Sequence, residues 1–347
     1  MTRTAAIAFA GAIALAAGAQ AAEIRVLNWK GYGTDEPWAV AAFEKATGHT
    51  VVHDYFNSEQ EMLTRLRTNP GAYDVVLINS AFTRQAAAEG LIQPIDTAGM
   101  KNVADLAPNL AGNPELAFDG KVWGVAWVWG VTGIAYNTAA MDRPDSLEVF
   151  WDPAMKGRVG WRDDALESVQ FAALVTGQSI NDIRDLDAVR DRLARLMPQI
   201  RVFWSSENDW NQFLAAGEFD VATYWSGSAA RSKTHFGLPV EFVIPREGAI
   251  GWLDGLSIPA GSANVEAAKA FIDWMIDPEF YVKWDTEVGA PASANLKAAA
   301  ALPEDAFNRR VLGDPANIAR VEIMKPVSDA DRERFLALWQ ELKAAAQ

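Results

Sequence analysis

Short apolar runs alternate along this chain with stretches whose apolar residues recur at helical spacing. Ile24 to Trp29 reads as a strand. A helix ending near Thr47 follows, with Thr34 as N-cap, Pro37 in its first turn and Gly48 as its stop. Thr50 to Tyr55 reads as a second strand, and Ser58-Glu59-Gln60-Glu61 is a capping-box pattern ahead of Met62, Leu63 and Leu66. Asp74 to Ile78 is apolar enough for a buried parallel strand, and a helix over 81–89 comes next. This alternation predicts an α/β layer on a parallel sheet. Ligands of such sheets sit beyond the carboxyl ends of the strands. The loops Trp29-Lys30-Gly31-Tyr32 and Asn79-Ser80 are therefore candidate site walls.

The second half repeats the pattern. Val122 to Asn137 is rich in tryptophan, and Trp123, Trp127 and Trp129 share parity along an extended chain. Such a stretch can cross between two domains and line a cleft, with Trp123 expected in the core. Strands are predicted over 157–161, 200–204, 219–225 and 240–244, and helices over 164–175, 182–196, 207–216, 265–275 and 331–345. Pro278 is expected to break the chain after the 265–275 helix. In Gly248 to Ala260, β-branched and aromatic residues argue for extended backbone, so Trp252 and Asp254 share one side and Leu253 takes the other. A ring beside a carboxylate receives an organic ammonium well. The plainer reading of the same stretch is a sheet-edge tryptophan with a solvated aspartate.

Composition narrows the choice. Arg3, the alanine-rich run from Ala5 to Ala17 and Ala19-Gln20-Ala21 form an export signal, with cleavage expected after Ala21. No later run is long and apolar enough to span a bilayer. The chain has no cysteine, which removes disulfides, thiolate metal sites and cysteine nucleophiles. Its formal net charge of -14 disfavours nucleic acid and mildly favours cationic ligands.

The catalytic inventory is thin. His49, His53 and His235 have no metal-ligand spacing, and no nucleophile elbow, phosphate loop or cofactor motif is present. Asp163, Asp164 and Glu167 cluster, which suits either acid-base chemistry or an N-cap with its third-position glutamate. What remains is aromatics and carboxylates spread over both halves, a composition that fits a flexible cationic organic ligand.

The chain resembles the periplasmic spermidine/putrescine-binding proteins of bacterial ABC importers over essentially its whole mature length. The resemblance rests on Asn28-Trp29-x-x-Tyr32, Tyr73-Asp74-Val75-Val76, Asp163-Asp164-Ala165-x-Glu167, Trp225-x-Gly227-Ser228, Gly248-x-x-x-Trp252-x-Asp254 and Ser257-Ile258-Pro259-Ala260. It implies a two-lobe α/β fold of the type II periplasmic binding proteins, each lobe a mostly parallel sheet flanked by helices, with lobe one over 23–131 and 252–297 and lobe two over 136–249 and 302–347. It implies that Trp29, Tyr32, Trp225 and Trp252 box an alkyl chain, that Asp164, Glu167 and Asp254 hold ammonium groups, and that Ser80 is a weaker polar contact. It implies no catalysis, no cofactor, a monomer, and a membrane permease as partner. Three departures stand out: Gly31 replaces an acid, Ala290 replaces a tyrosine, and Lys30 stands where a small hydroxyl residue is usual, while Lys325 falls near a glutamine of some members. These raise an ω-amino acid as an alternative ligand, with Lys30 meeting its carboxylate. A third expectation, from another class, is an exported hydrolase using Asp164 and Glu167.

Overall fold

A computed structural model of the chain describes residues 21–346, so the predicted export signal lies outside the described residues save for Ala21. Three parallel strands, Glu23–Asn28, Thr50–Tyr55 and Val75–Asn79, lie in the order second, first, third. Val75, Val76, Leu77 and Ile78 are fully buried, which is why that strand reads as one apolar run rather than as an alternation. Helices Pro37–Thr47 and Glu59–Thr68 turn Phe43, Met62, Leu63 and Leu66 onto this core.

Two long strands organise the remainder. Val125–Asn137 and Ala249–Pro259 pair antiparallel from Val125 opposite Leu256 to Thr132 opposite Ile250. The far half of the second crossing strand, Asp254 to Ser257, pairs with Val75–Asn79. The far half of the first, Thr132 to Tyr136, pairs with Val221–Trp225, beyond which lie the parallel strands Val159–Arg162 and Ile200–Trp204. Hydrogen bonding is thus continuous across the molecule, but the core is not. Val128 and Leu253 pack in one apolar cluster, whereas Val131 and Ile250 pack in two others. This is the two-lobe α/β arrangement the sequence predicts, with the division falling inside the crossing strands.

Most predicted elements are present, and several differ; the strand predicted over 157–161, for one, is Val159–Arg162. Thr34 does not cap the first helix; its Oγ1 accepts from the buried Asn28 side chain at 2.8 Å, and the helix starts after Glu36 with Pro37 at its first position. Gly48 does close it, at φ +76°. The predicted 182–196 helix begins only at Leu186, because Asp185 takes the cap by accepting from the Ala188 amide. The strand expected from 219 begins at Val221. Pro278 breaks one helix but also opens another, Pro278–Glu287, whose Asp277 cap accepts from the Glu279 amide. The chain ends with strand Val321–Ile323, parallel to Ala249–Gly251, and helix Asp329–Ala345, which seats Phe335, Leu338, Trp339 and Leu342 on the second lobe.

Candidate ligand-binding site

At the carboxyl ends of the first-lobe strands, buried Asn28 ties down the loop that follows it. Its Nδ2 donates to the Tyr32 carbonyl at 3.1 Å, and its Oδ1 accepts from the Trp29 amide at 2.7 Å. Tyr32 then reaches the second crossing strand, where its hydroxyl donates to Asp254 Oδ2 at 2.8 Å. Asn79, the strand neighbour of Asp254, donates from Nδ2 to Oδ1 at 2.9 Å. Asp254 is only 6% exposed; burial pushes its carboxyl up to about 6, against the pull of those two hydrogen bonds. Burial, and then the Asp254 charge, pushes the Tyr32 hydroxyl well above its usual range.

Glu59 joins this end, unforeseen from the sequence. Burial first, and the neighbouring Asp254 charge second, push its carboxyl up to about 8, and its Oε2 is sealed from solvent with no hydrogen-bond partner among the described residues. In the sequence Glu59 reads as one acid of a capping box. The box itself is Ser58 Oγ accepting from the Glu61 amide and Glu61 accepting from the Asn57 amide, which leaves Glu59 free for another role. Its position beyond a strand's carboxyl end is the signal that could have found it. Ser80 begins helix Ser80–Ala88, is 1% exposed, and has an Oγ likewise without a partner among the described residues. Trp29 is half-buried with its ring 4.5 Å from that of Phe56.

In the middle, Trp252 lies opposite Gly130 across the paired crossing strands. A Cβ at position 130 would fall 2.4 Å from Trp252 Cζ2 and 2.9 Å from Ser226 Oγ, so only glycine admits the indole there. Trp225 ends its strand beside Thr132 and meets Trp204 edge-on at 5.0 Å.

The second-lobe end is built on helix Ala165–Val175. Asp164 is its N-cap, with Oδ1 accepting from the Glu167 amide at 2.9 Å. Glu167 does not complete a box. Its Oε1 accepts from Thr132 Oγ1 at 3.3 Å and from Arg162, while Oε2 has no partner among the described residues. Arg162 also lies 3.8 Å from Asp164 Oδ2, and its guanidinium sits over the Trp225 ring at 4.7 Å. Burial raises the Glu167 pKa, and Arg162 opposes that rise. Asp163 points elsewhere, accepting from Trp339 Nε1 and Lys343 Nζ to fasten the C-terminal helix.

The crossing strands thus carry Trp252 and Asp254, with Tyr32 bonded to Asp254, on the first-lobe side, and Thr132, bonded to Glu167, on the second-lobe side beside Trp225; Ser80 and Trp29 follow the first-lobe strands. Lys30 and Lys325 are exposed. Ala290 is buried in the first-lobe core, and its carbonyl carbon lies close to Gly227. Arg162 is the second residue that the sequence reading does not single out.

The profile of the bacterial extracellular solute-binding proteins matches residues 38–310. The chain belongs to that family. This solute-binding protein is 32% identical to the spermidine/putrescine-binding periplasmic protein of Escherichia coli, with 96% of this chain and 97% of that protein aligned. It is 27% identical to the putrescine/cadaverine-binding protein of Pseudomonas aeruginosa over 94% of this chain and 96% of that one. The spermidine/putrescine substrate-binding protein of a Streptococcus pneumoniae ABC transporter superposes with a TM-score of 0.84 at 21% identity, over 94% of this chain and all of that chain. Family membership makes the chain a binding protein and not an enzyme, which removes the hydrolase alternative. Its relatives are periplasmic, and among the described residues no helix is long and apolar enough to cross a membrane.

Proposed function

We propose that this protein captures a small di- or triamine of the putrescine/spermidine kind in the periplasm, after cleavage following Ala21, and presents it as a monomer to the permease of an ABC importer. The observation that carries the reading is Asp254, a buried carboxylate held by Tyr32 and Asn79, two residues along the strand from the Trp252 indole. A buried anion with hydrogen bonds but no cation of its own is the complement of an ammonium. Trp252 and Trp225 supply rings for the methylenes, and Glu167 and Asp164 supply acid at the far end. Thr132, which touches Glu167, faces Ile250, four residues before Asp254 and so roughly 13 Å away along an extended strand. That interval suits a flexible diamine or triamine rather than a single compact cation. The names of the relatives support the same ligand class.

In this reading lobe one comprises 23–131 and 252–297 and lobe two 136–249 and 302–347, and closure of one onto the other buries the amine. The ω-amino acid alternative loses ground because Lys30 is exposed and the acids outnumber the one guanidinium at the far end. Calorimetric titration with putrescine, cadaverine, spermidine and 4-aminobutyrate tests the proposal. Saturable binding of at least one amine with 4-aminobutyrate weaker is the expected result; preference for 4-aminobutyrate would replace it.

A further inference from the structure

Arg162 holds three contacts that the proposed ligand would also use. Its guanidinium lies over the Trp225 face at 4.7 Å, is paired with Glu167 Oε1, and stands 3.8 Å from Asp164 Oδ2. A planar, weakly hydrated cation on an aromatic face between carboxylates is a stable arrangement for arginine. Arg162 sits at the end of strand Val159–Arg162, anchored by its amide donating to Thr223 Oγ1 at 3.2 Å, so its reach toward Trp225 is built into the sheet.

We infer that Arg162 is the specificity-determining residue of the second-lobe end, a tethered cation that competes with a ligand ammonium for Trp225 and Glu167. The inference rests on the amine-binding reading above. The groups facing Arg162 leave little alternative for what it meets. Asp164 and Glu167 come from the helix Ala165–Val175 and its cap, Thr132 bonds the same Glu167 oxygen, and Trp225 closes the other side. Two carboxylates against one guanidinium leave this end one negative charge, so a ligand carboxylate is repelled. An ammonium is attracted, but it must share Glu167 with Arg162 or displace it from the ring. Glu167 Oε2, with no partner among the described residues, is the oxygen available for sharing. An amine that reaches only Asp254 never meets this competitor. Arg162 therefore weakens ligands with a second ammonium selectively.

The test is calorimetry on the native protein, Arg162→Met and Arg162→Lys, each confirmed folded by its melting curve, with putrescine, spermidine, butylamine and 4-aminobutyrate. Methionine keeps the apolar stem over Trp225 and removes the charge. Putrescine should bind Arg162→Met about tenfold more tightly or better, the scale of one charge-assisted hydrogen bond released to the ligand. Butylamine should bind both proteins alike. Lysine, a cation without the planar fork, should fall between, and it decides the matter alone if the methionine variant does not fold. Unchanged or weaker putrescine binding by the folded variants would overturn the inference while leaving the amine reading intact. So would native 4-aminobutyrate binding that disappears with Arg162→Met, which would assign the guanidinium to a ligand carboxylate. Failure of every amine with both native and variant proteins would overturn the amine reading itself and this inference with it.

Discussion

Asp254 illustrates how a buried residue of the proposed site lowers the stability of its own fold. Its folded pKa, about 6, lies above the ordinary carboxyl value, as does that of Glu59 at about 8. Between the unfolded and folded values the folded chain binds the extra proton, so the free protein loses stability as pH rises. For Asp254 that window runs from roughly 4 to 6, and for Glu59 from roughly 4.5 to 8. A bound ammonium favours the ionised carboxylates, so amine affinity should rise over the same range, with protons released on binding. Asp254→Asn should therefore raise the melting temperature of the free protein at pH 8 while weakening putrescine ten- to a hundredfold, the equivalent of roughly 1.5 to 3 kcal/mol. Melting curves and titrations at pH 5.5 and 8 check both parts. Unchanged affinity in the folded variant would remove Asp254 from the site. Glu59→Gln should flatten the rise in affinity above pH 6. Trp252, Asp254 and Tyr32 were legible because ring, acid and parity sit within a short stretch or a family motif. Glu59 and Arg162 were not, because a charged residue at a helix start or strand end has the same local appearance whether it faces solvent or a cleft; only the long-range pairing of crossing strands decides.

The helix Ala165–Val175 separates two roles that its first turn confounds in sequence. Asp164 caps it, so Asp164→Ala should cost ~0.5 to 2 kcal/mol of stability. Glu167 leaves the backbone alone and turns to Thr132 and Arg162. Glu167→Gln should therefore weaken diamine binding with a smaller fall in melting temperature than Asp164→Ala. Paired melting and titration data on the two variants decide it, and native affinity in both would confine both residues to structure. On the first crossing strand, Gly130→Ala would drive a methyl into Trp252 and Ser226. It should cost about 1 to 3 kcal/mol of stability and weaken the ligand by displacing the indole, read from chemical denaturation and calorimetry. Helix periodicity was legible wherever an apolar stripe repeats. The Pro278–Glu287 helix was missed because proline stops one helix by the same geometry that starts another, and the Asp277 cap is what tips the balance. Strand Val321–Ile323 carries too few residues for a pattern and exists only because Ala249–Gly251 offers it an edge.

At the scale of the whole molecule, three apolar clusters share one continuous sheet. The lobes also touch where Arg332, on the C-terminal helix, lies over the ring of Phe82 at 5.2 Å, a residue packed on the first-lobe core. Nothing in either local sequence signals this pair, since it joins a surface arginine to an aromatic on the helix after Asn79. It lies between lobes, so it stabilises only arrangements in which they are together. A ligand that binds between closed lobes has an apparent affinity proportional to the fraction of molecules able to close. A cation–π contact of ~0.5 to 1 kcal/mol shifts that fraction by about two- to fivefold where the open form dominates. Arg332→Ala and Phe82→Leu should each weaken putrescine by that factor, and the double variant should be no weaker than either single one, because they remove the same contact. Stability should scarcely change for Arg332→Ala, whereas Phe82→Leu also trims a half-buried ring packed against the first-lobe core and should cost a little stability. Calorimetry on the two singles and the double closes the cycle. Additive losses would mean that Phe82 and Arg332 act on the ligand separately, and no loss would mean that the lobes meet without them.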